Sequence, residues 1–315
     1  MKTQRQLFDS SGVSLQLDFN FKELRHSGEV SKLMQRLSVS GVQEKFPAVV
    51  KNGKICLIAE GEHSTHILKP APWDETLSEK KYIPVNEFLT MQIASQVYGI
   101  EVAANGLCNT SDGKPVYITR RFDIAPDGSK LPMEDMATLV GRSEAEGGTQ
   151  FKYHGSYEDV AECIRRYLPA WMVEMERFFE LVIFNYIYAN GDAHLKNFSV
   201  ILSGEDYRLA PAYDLLNTAL HVHDTEFALD GGLSFCMERS ESYLRTGHPC
   251  REDFARFGNM IGLRDARVER ILDKYMSIPE AVHSLVSQSL LTTKLQRNYL
   301  RIILERIHRF VRVSD

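Results

Sequence analysis

The stretch Gly191-Asp192-Ala193-His194-Leu195-Lys196-Asn197, with Ala212-Tyr213-Asp214 after it, decides how this chain is read. It sets an Asp, an Asn five residues on and a second Asp seventeen beyond that. An Asp on a rigid loop can accept or orient an attacking hydroxyl, and an amide oxygen with a second carboxylate are hard ligands of the kind magnesium prefers. Phosphoryl transfer is the chemistry this spacing serves. The competing reading makes Asp192 and Asn197 turn caps and Asp214 a helix start, roles that Asp and Asn often fill.

Working outward, Trp171 to Ala189 is apolar on nearly every side and predicts a buried central helix from which the loop emerges. Phe198 to Leu202 and Tyr207 to Ala210, joined by Ser203-Gly204-Glu205-Asp206, predict a hairpin leading to Asp214. Upstream, Phe46 to Val50 and Ile55 to Ala59 flank Lys51-Asn52-Gly53-Lys54, and Asn-Gly is the strongest two-residue hairpin signal because both positions must accept positive φ. A third strand, His66 to Leu68, delivers Lys69 just before Pro70, where a lysine can pair with nucleotide phosphates. Leu89, Ile93 and Val97 recur at helical spacing and predict a helix from Glu87 to Tyr98, with Gly99 as its cap. Glu87 either holds Lys69 or favours its own helix N-terminus. Pro115 to Phe122 predicts a strand, and from Pro132 the pattern turns mostly helical: Tyr157 to Tyr167, then two or three packing helices between Arg251 and Val313, Leu285 to Phe310 among them. The expected fold class is α+β, with two lobes as in protein kinases: a small β-rich lobe at 1–122 and a larger helical lobe at 123–315.

Composition narrows the function classes. The 315 residues are 43% hydrophobic and 25% charged, with a formal net charge of -5. That balance argues against a chain that grips nucleic acid through its own surface. The longest apolar stretch, Phe178 to Tyr188, is broken by Glu180 and Asn185 and falls short of the roughly 20 residues of a membrane span. The start, MKTQRQLFDSSG, has no apolar signal core. Five scattered cysteines without a CxxC pair give no zinc or disulfide framework. A cytoplasmic protein with no membrane partner is expected.

Ser38-Val39-Ser40-Gly41-Val42-Gln43-Glu44-Lys45 has one glycine, so it is neither a Walker loop nor a three-glycine kinase loop. Its small residues would let backbone amides approach phosphate oxygens, with Lys45 reaching in behind them. A polar turn before a hairpin reads the same way. His194 either orders the Asp192 loop or is a satisfied interior histidine, and Lys196 either screens phosphate or is solvated.

SVSGVQEK at 38–45, Ile67-Leu68-Lys69-Pro70, Asn86-Glu87, Arg121-Phe122-Asp123, GDAHLKNF at 191–198 and AYDL at 212–215 together resemble, in order, the HipA serine/threonine kinases of bacterial toxin–antitoxin systems. The resemblance covers roughly residues 35–260. It implies that Asp192 is the catalytic base and that Asn197 and Asp214 bind Mg2+. ATP would be held by Ser40, Gly41, Val42, Gln43, Glu44, Lys45 and Lys69, by a hinge at Arg120, Arg121 and Phe122, and by His194, Lys196 and Tyr213. Ser38 and Ser40 are the implied autophosphorylation sites; phosphate there would eject the loop and inactivate the enzyme. Only 37 residues precede this loop, which resembles the short HipT branch, whose N-terminal subdomain is a separate small protein. Ser40 fits that branch too, whereas Arg120 stands where longer members often have an acidic residue. The implied partners are a HipB-like DNA-binding antitoxin and a HipS-like small subunit. The implied substrate is an aminoacyl-tRNA synthetase, tryptophanyl for HipT-like proteins and glutamyl for the longer branch. A kinase-fold scaffold for antitoxins and a small-molecule kinase are the alternatives.

Overall fold

The computed structural model describes residues 6–8, 12–26, 43–59, 61–223 and 225–311. Ser38 and Ser40, the expected autophosphorylation sites, and Gly41 and Val42, expected with Ser40 to hold ATP, lie outside the described residues. The chain folds as two lobes of α+β type.

Strands β1 (Phe46–Lys51) and β2 (Lys54–Leu57) pair antiparallel with Lys51 opposite Lys54. Between them Asn52 and Gly53 take φ 50° and 73°, the positive values that the Asn-Gly dipeptide predicts. Strands β3 (His66–Lys69), β4 (Asn105–Asn109) and β5 (Pro115–Arg120) complete an antiparallel sheet of order β2-β1-β3-β5-β4. Alternation splits its residues between two cores: Val116 and Ile118 face one with Phe46, Leu68 and Phe21, while Tyr117 faces the larger helical one.

Helix α1 (Ile83–Gln96) belongs to that larger core through Val85, Leu89, Met91 and Ile93. Polar bonds tie it there as well. Buried Asn86 donates to the Asn217 carbonyl at 2.8 Å and lies 2.9 Å from His221 Nε2, and Thr90 meets the Tyr299 hydroxyl at 2.8 Å. Helix α2 (Tyr157–Tyr167) starts on a capping box in which Ser156 and Asp159 satisfy each other's backbone amides. Helix α3 (Trp171–Ile187) runs through the centre, with Phe178, Phe179, Ile183 and Phe184 fully buried. Around it pack α4 (Arg251–Met260), α5 (Asp265–Asp273), α6 (Glu280–Gln288) and α7 (Thr293–Val311). A small sheet of β6 (Met133–Asp135), β7 (Ser199–Ser203) and β8 (Asp206–Leu209) joins the 130s to the hairpin before Asp214.

Several expectations shift. Helix α1 begins at Ile83 rather than Glu87, because Pro84 sits in its first turn, where the missing N–H costs nothing. The stretch Leu285 to Phe310 is not one helix: it breaks between Gln288 and Thr293, where Gln296 Nε2 donates to the Leu291 carbonyl at 3.1 Å. Strands β4 and β6 had no counterpart in the sequence reading.

Gly258 lets α4 approach α5 and α3 closely. A Cβ there would lie 2.7 Å from Val268 Cγ2 and 3.0 Å from Phe179 Cζ. Gly258→Val should therefore cost about 1–3 kcal/mol by overpacking; urea unfolding measures it, and an unchanged midpoint would show that α5 gives way freely.

Candidate active site

Helix α3 ends at a residue held in the left-handed region: Ala189 has φ 52°, and its carbonyl accepts from Thr218 N at 3.0 Å. Gly191 N then donates to Thr218 Oγ1 at 2.8 Å, so the loop leaves the helix on two fixed anchors. Within the loop His194 N donates to Asn197 Oδ1 at 3.0 Å and Asn197 N to the His194 carbonyl at 2.9 Å, and Tyr157 Oη donates to the Ala193 carbonyl at 3.0 Å. These bonds fix where Asp192 and Asn197 stand.

The second acidic loop arrives beside it. Ala212 bridges Val102, with Ala103 N donating to the Ala212 carbonyl at 2.9 Å. Two residues later Asp214 adopts φ 56°, a left-handed conformation that Asp tolerates better than most residues. Its carboxylate lies 3.4 Å from Asn197 Nδ2 and 3.1 Å from Lys45 Nζ, and Lys69 Nζ pairs with its other oxygen. Lys69 also meets Glu87 at 2.5 Å, both side chains being almost wholly buried. The alternative left open for Glu87 is thereby resolved: it holds the lysine.

Burial works against every charge in this cluster, and the partners decide the outcome. Asp214 is pushed up by burial, but Lys45 and Lys69 outweigh that and hold it well below the ordinary carboxylate range. Lys69 is pushed down by burial, yet Asp214 and Glu87 hold it above the ordinary lysine value. Glu87 stays raised, burial being its dominant influence. The arrangement is a partly buried anion flanked by cations, with a neutral amide alongside.

His194 is a different case. Burial, then Lys152, lowers it to about 3, and its Nδ1 has no hydrogen-bond partner among the described residues. It is neutral at physiological pH and can accept a bond in the site. The folded chain therefore resists a proton that the unfolded chain takes up near pH 6.5, so stability should fall as pH drops from about 6.5, by about 1.4 kcal/mol per unit for this one group. His194→Gln should flatten that slope in urea titrations at pH 4–7; an unaltered slope would assign it elsewhere.

The remaining expected residues divide. Glu44 accepts from Trp73 N at 3.1 Å and Gln43 Nε2 donates to the Pro70 carbonyl at 3.1 Å, so the tail of the loop docks on the chain leaving β3. Lys196 pairs with Asp135 and is not simply solvated. Tyr213 Oη bonds the Lys196 carbonyl at 2.8 Å and Ser199 at 2.6 Å, and its ring packs 5.6 Å from Phe122. The Arg121 guanidinium is spent on Asp123 and Ser64, and Arg120 Nη1 reaches the Gln6 carbonyl at 3.3 Å. Of the hinge trio, only Phe122 turns its side chain toward the Asp214 segment.

Comparison with known proteins fixes the family. Residues 37–282 match the model of the HipA-like C-terminal domain. The chain belongs to the HipA-like kinase family. It is 30% identical over 195 residues to "Putative kinase Y4mE" of Sinorhizobium fredii, covering 59% of this chain and 43% of that protein. It is 25% identical to a "Putative kinase" of Haemophilus influenzae over 81% of this chain and 76% of the relative. With the "Serine/threonine-protein kinase toxin HipA" of Shewanella oneidensis it shares 29% over 59% of this chain and 44% of the toxin. The HipA-like chain thus spans less than half the length of two of these relatives. Among solved structures, Shewanella oneidensis HipA in complex with HipB and operator DNA superposes with a TM-score of 0.66 at 19% identity, covering 90% of this chain and 71% of that one. The Helicobacter pylori proinflammatory kinase CtkA gives 0.51 at 14%, covering 84% and 90%. Both share the two-lobed kinase-like fold.

The donor set suits a hard cation. Asp214 is held ionised with Asn197 beside it, and the Lys45 and Lys69 ammoniums that now occupy its two oxygens would have to share them with a cation. Among the described residues no three His, Cys, Asp or Glu side chains gather to hold a metal, so a cation here would rest on two protein ligands and the phosphates, as magnesium commonly does. The Asn197 amide now presents its nitrogen to Asp214 and would have to turn over to offer oxygen.

Sequence reasoning passed over two residues in this site. Lys152 and Tyr153 end a 3-10 turn, Gly148–Tyr153, that lies against the Asp192 loop. No motif marks them; the only signal was a lysine followed by an aromatic just before the Ser156 cap.

Proposed function

We propose that the chain is an ATP- and magnesium-dependent protein serine/threonine kinase acting as the toxin of a toxin–antitoxin system. What supports this is Asn197 and Asp214 set beside the buried Lys69–Glu87 pair, with Asp192 on the same loop as Asn197. Asp192 accepts the proton of a substrate serine or threonine hydroxyl as it attacks the γ-phosphate. Lys69, oriented by Glu87, holds the α and β phosphates, and Lys45 lies close enough to Asp214 to reach the same region. Asn197 and Asp214 hold magnesium, whose contribution when bound is to neutralise the phosphate charge. His194, Lys196 and Tyr213 line the phosphate side, Phe122 and the backbone beside it the adenine side.

The lobes divide at 122/123 in this reading, with α1 packed between them. The substrate is an aminoacyl-tRNA synthetase, tryptophanyl or glutamyl, and its phosphorylation halts translation. Autophosphorylation at Ser38 or Ser40 restrains the enzyme, and a HipB-like antitoxin with a HipS-like small subunit completes the system. Support comes from the family match and from the similarity to the Shewanella serine/threonine-protein kinase toxin.

Phosphoproteomics after brief expression, with Asp192→Ala as control, tests the proposal. A synthetase peptide phosphorylated only with the parent chain is the expected result. Equal protein labelling by both chains, or label entering metabolites alone, would sink it.

A further inference from the structure

Tyr153 Oη donates to Asp192 Oδ1 at 2.7 Å. Its ring stands edge-on to His194 at 5.2 Å, and the Lys152 ammonium sits over its face at 4.9 Å. The Lys152 side chain is buried although its residue lies on a short turn, and it feels Asp192 and Asp214 as attractions, Lys45 and Lys196 as repulsions.

We infer that Lys152 and Tyr153 are working parts of the catalytic centre: Tyr153 is a positioning residue that fixes the Asp192 carboxylate, and Lys152 meets the charge of the transferred phosphoryl group. This rests on reading Asp192 as the base. A carboxylate accepts on two oxygens, so a phenol held on Oδ1 fixes the plane in which the other oxygen meets an incoming hydroxyl. The bond also favours the ionised carboxylate, the form a base must have. Lys152 is buried with its ammonium against the Tyr153 ring, on the turn that reaches Asp192, so an anionic phosphoryl group brought to Asp192 meets a fixed positive charge, and most strongly as charge shifts during transfer.

The turn is held independently of these contacts. Gly155 N donates to Asp230 Oδ1 at 2.9 Å, Asp230 N to the Tyr153 carbonyl at 3.0 Å, and the capping box of α2 follows at once. Removing one hydroxyl or one ammonium should therefore leave the fold intact, which thermal melts check.

The experiment follows radiolabel from ATP into myelin basic protein as a surrogate acceptor, with nucleotide binding read separately by a fluorescent ATP analogue. Tyr153→Phe should lower kcat on the order of 10-fold, the scale of one hydrogen bond to a charged group, with KM for ATP within about twofold. Lys152→Met should lower kcat at least as much, and Lys152→Arg should recover part of it. Full activity of both Tyr153→Phe and Lys152→Met, beside an inactive Asp192→Asn, overturns this inference and leaves the kinase reading standing. Activity in Asp192→Asn overturns the kinase reading and this inference with it.

Discussion

Asp214→Asn is expected to cut phosphate transfer by roughly a thousandfold, the scale at which loss of a charge-stabilising group acts, while the chain stays folded. Asn keeps the shape of the side chain and tolerates the left-handed conformation at φ 56°, so the change isolates the charge. What disappears is the anion that Lys45 and Lys69 both grip and that a metal would need. Initial rates of radiolabel transfer and a thermal melt measure the two halves of the claim; a variant within tenfold of the parent would remove Asp214 from the chemistry. A second signature follows from pH. Because the two lysines hold the Asp214 carboxyl well below its unfolded value, its stabilisation is present above about pH 4 and is lost as pH falls below it. Asp214→Asn should flatten that acid limb of the stability curve.

Lys69→Met should be the most damaging single change to stability. It leaves Glu87, 1% exposed, without its ammonium, and breaking a buried ion pair in this way costs about 3–5 kcal/mol. At ~2–4 °C per kcal/mol the melting temperature should drop by roughly 10 °C. Transfer should vanish as well, since nothing else on β3 can reach the phosphates. The double variant Lys69→Met/Glu87→Leu separates the two effects: an apolar pair of similar volume should restore much of the stability, and no activity. If the double variant were no more stable than the single one, the stranded Glu87 would not be the source of the cost.

How much of this was legible depended on whether a local rule acted alone. Asn52-Gly53 declared its hairpin because positive φ at both positions admits few residues, and the structure holds them so. Helix α3 was readable because its second half, Val182 to Ile187, is buried on all sides and, Asn185 apart, apolar to match, while Met172 and Val173 in its first turn are exposed. The Asp192, Asn197 and Asp214 set was legible as spacing, although only the folded chain shows Asn197 beside Asp214 and both lysines on its carboxylate. Strand β4, Asn105-Gly106-Leu107-Cys108-Asn109, was missed because its residues have little strand preference; its pairing with β5 comes from the tertiary fold. Strand β6 has three residues, too few for alternation to appear. The break before α7, Ser289-Leu290-Leu291-Thr292, carries no Gly or Pro, and its turn is closed by Gln296 of α7 bonding back to the Leu291 carbonyl. Lys152 and Tyr153 were invisible for another reason: their partner Asp192 is about forty positions away, and nothing in their own neighbourhood announces it.

The anchorage of α1 has a mechanical consequence. Asn86 and Thr90 bind this helix to the Asn217 segment and to Tyr299 of α7, whereas β3 belongs to the sheet. The same helix also meets the sheet, Gln92 Nε2 donating to Asn105 Oδ1 of β4 at 2.9 Å. Glu87 therefore stands on an element clamped from both sides, and because Lys69 bonds Asp214 as well, a shift of the sheet, of α1 or of the Asp214 loop is felt at this one ion pair.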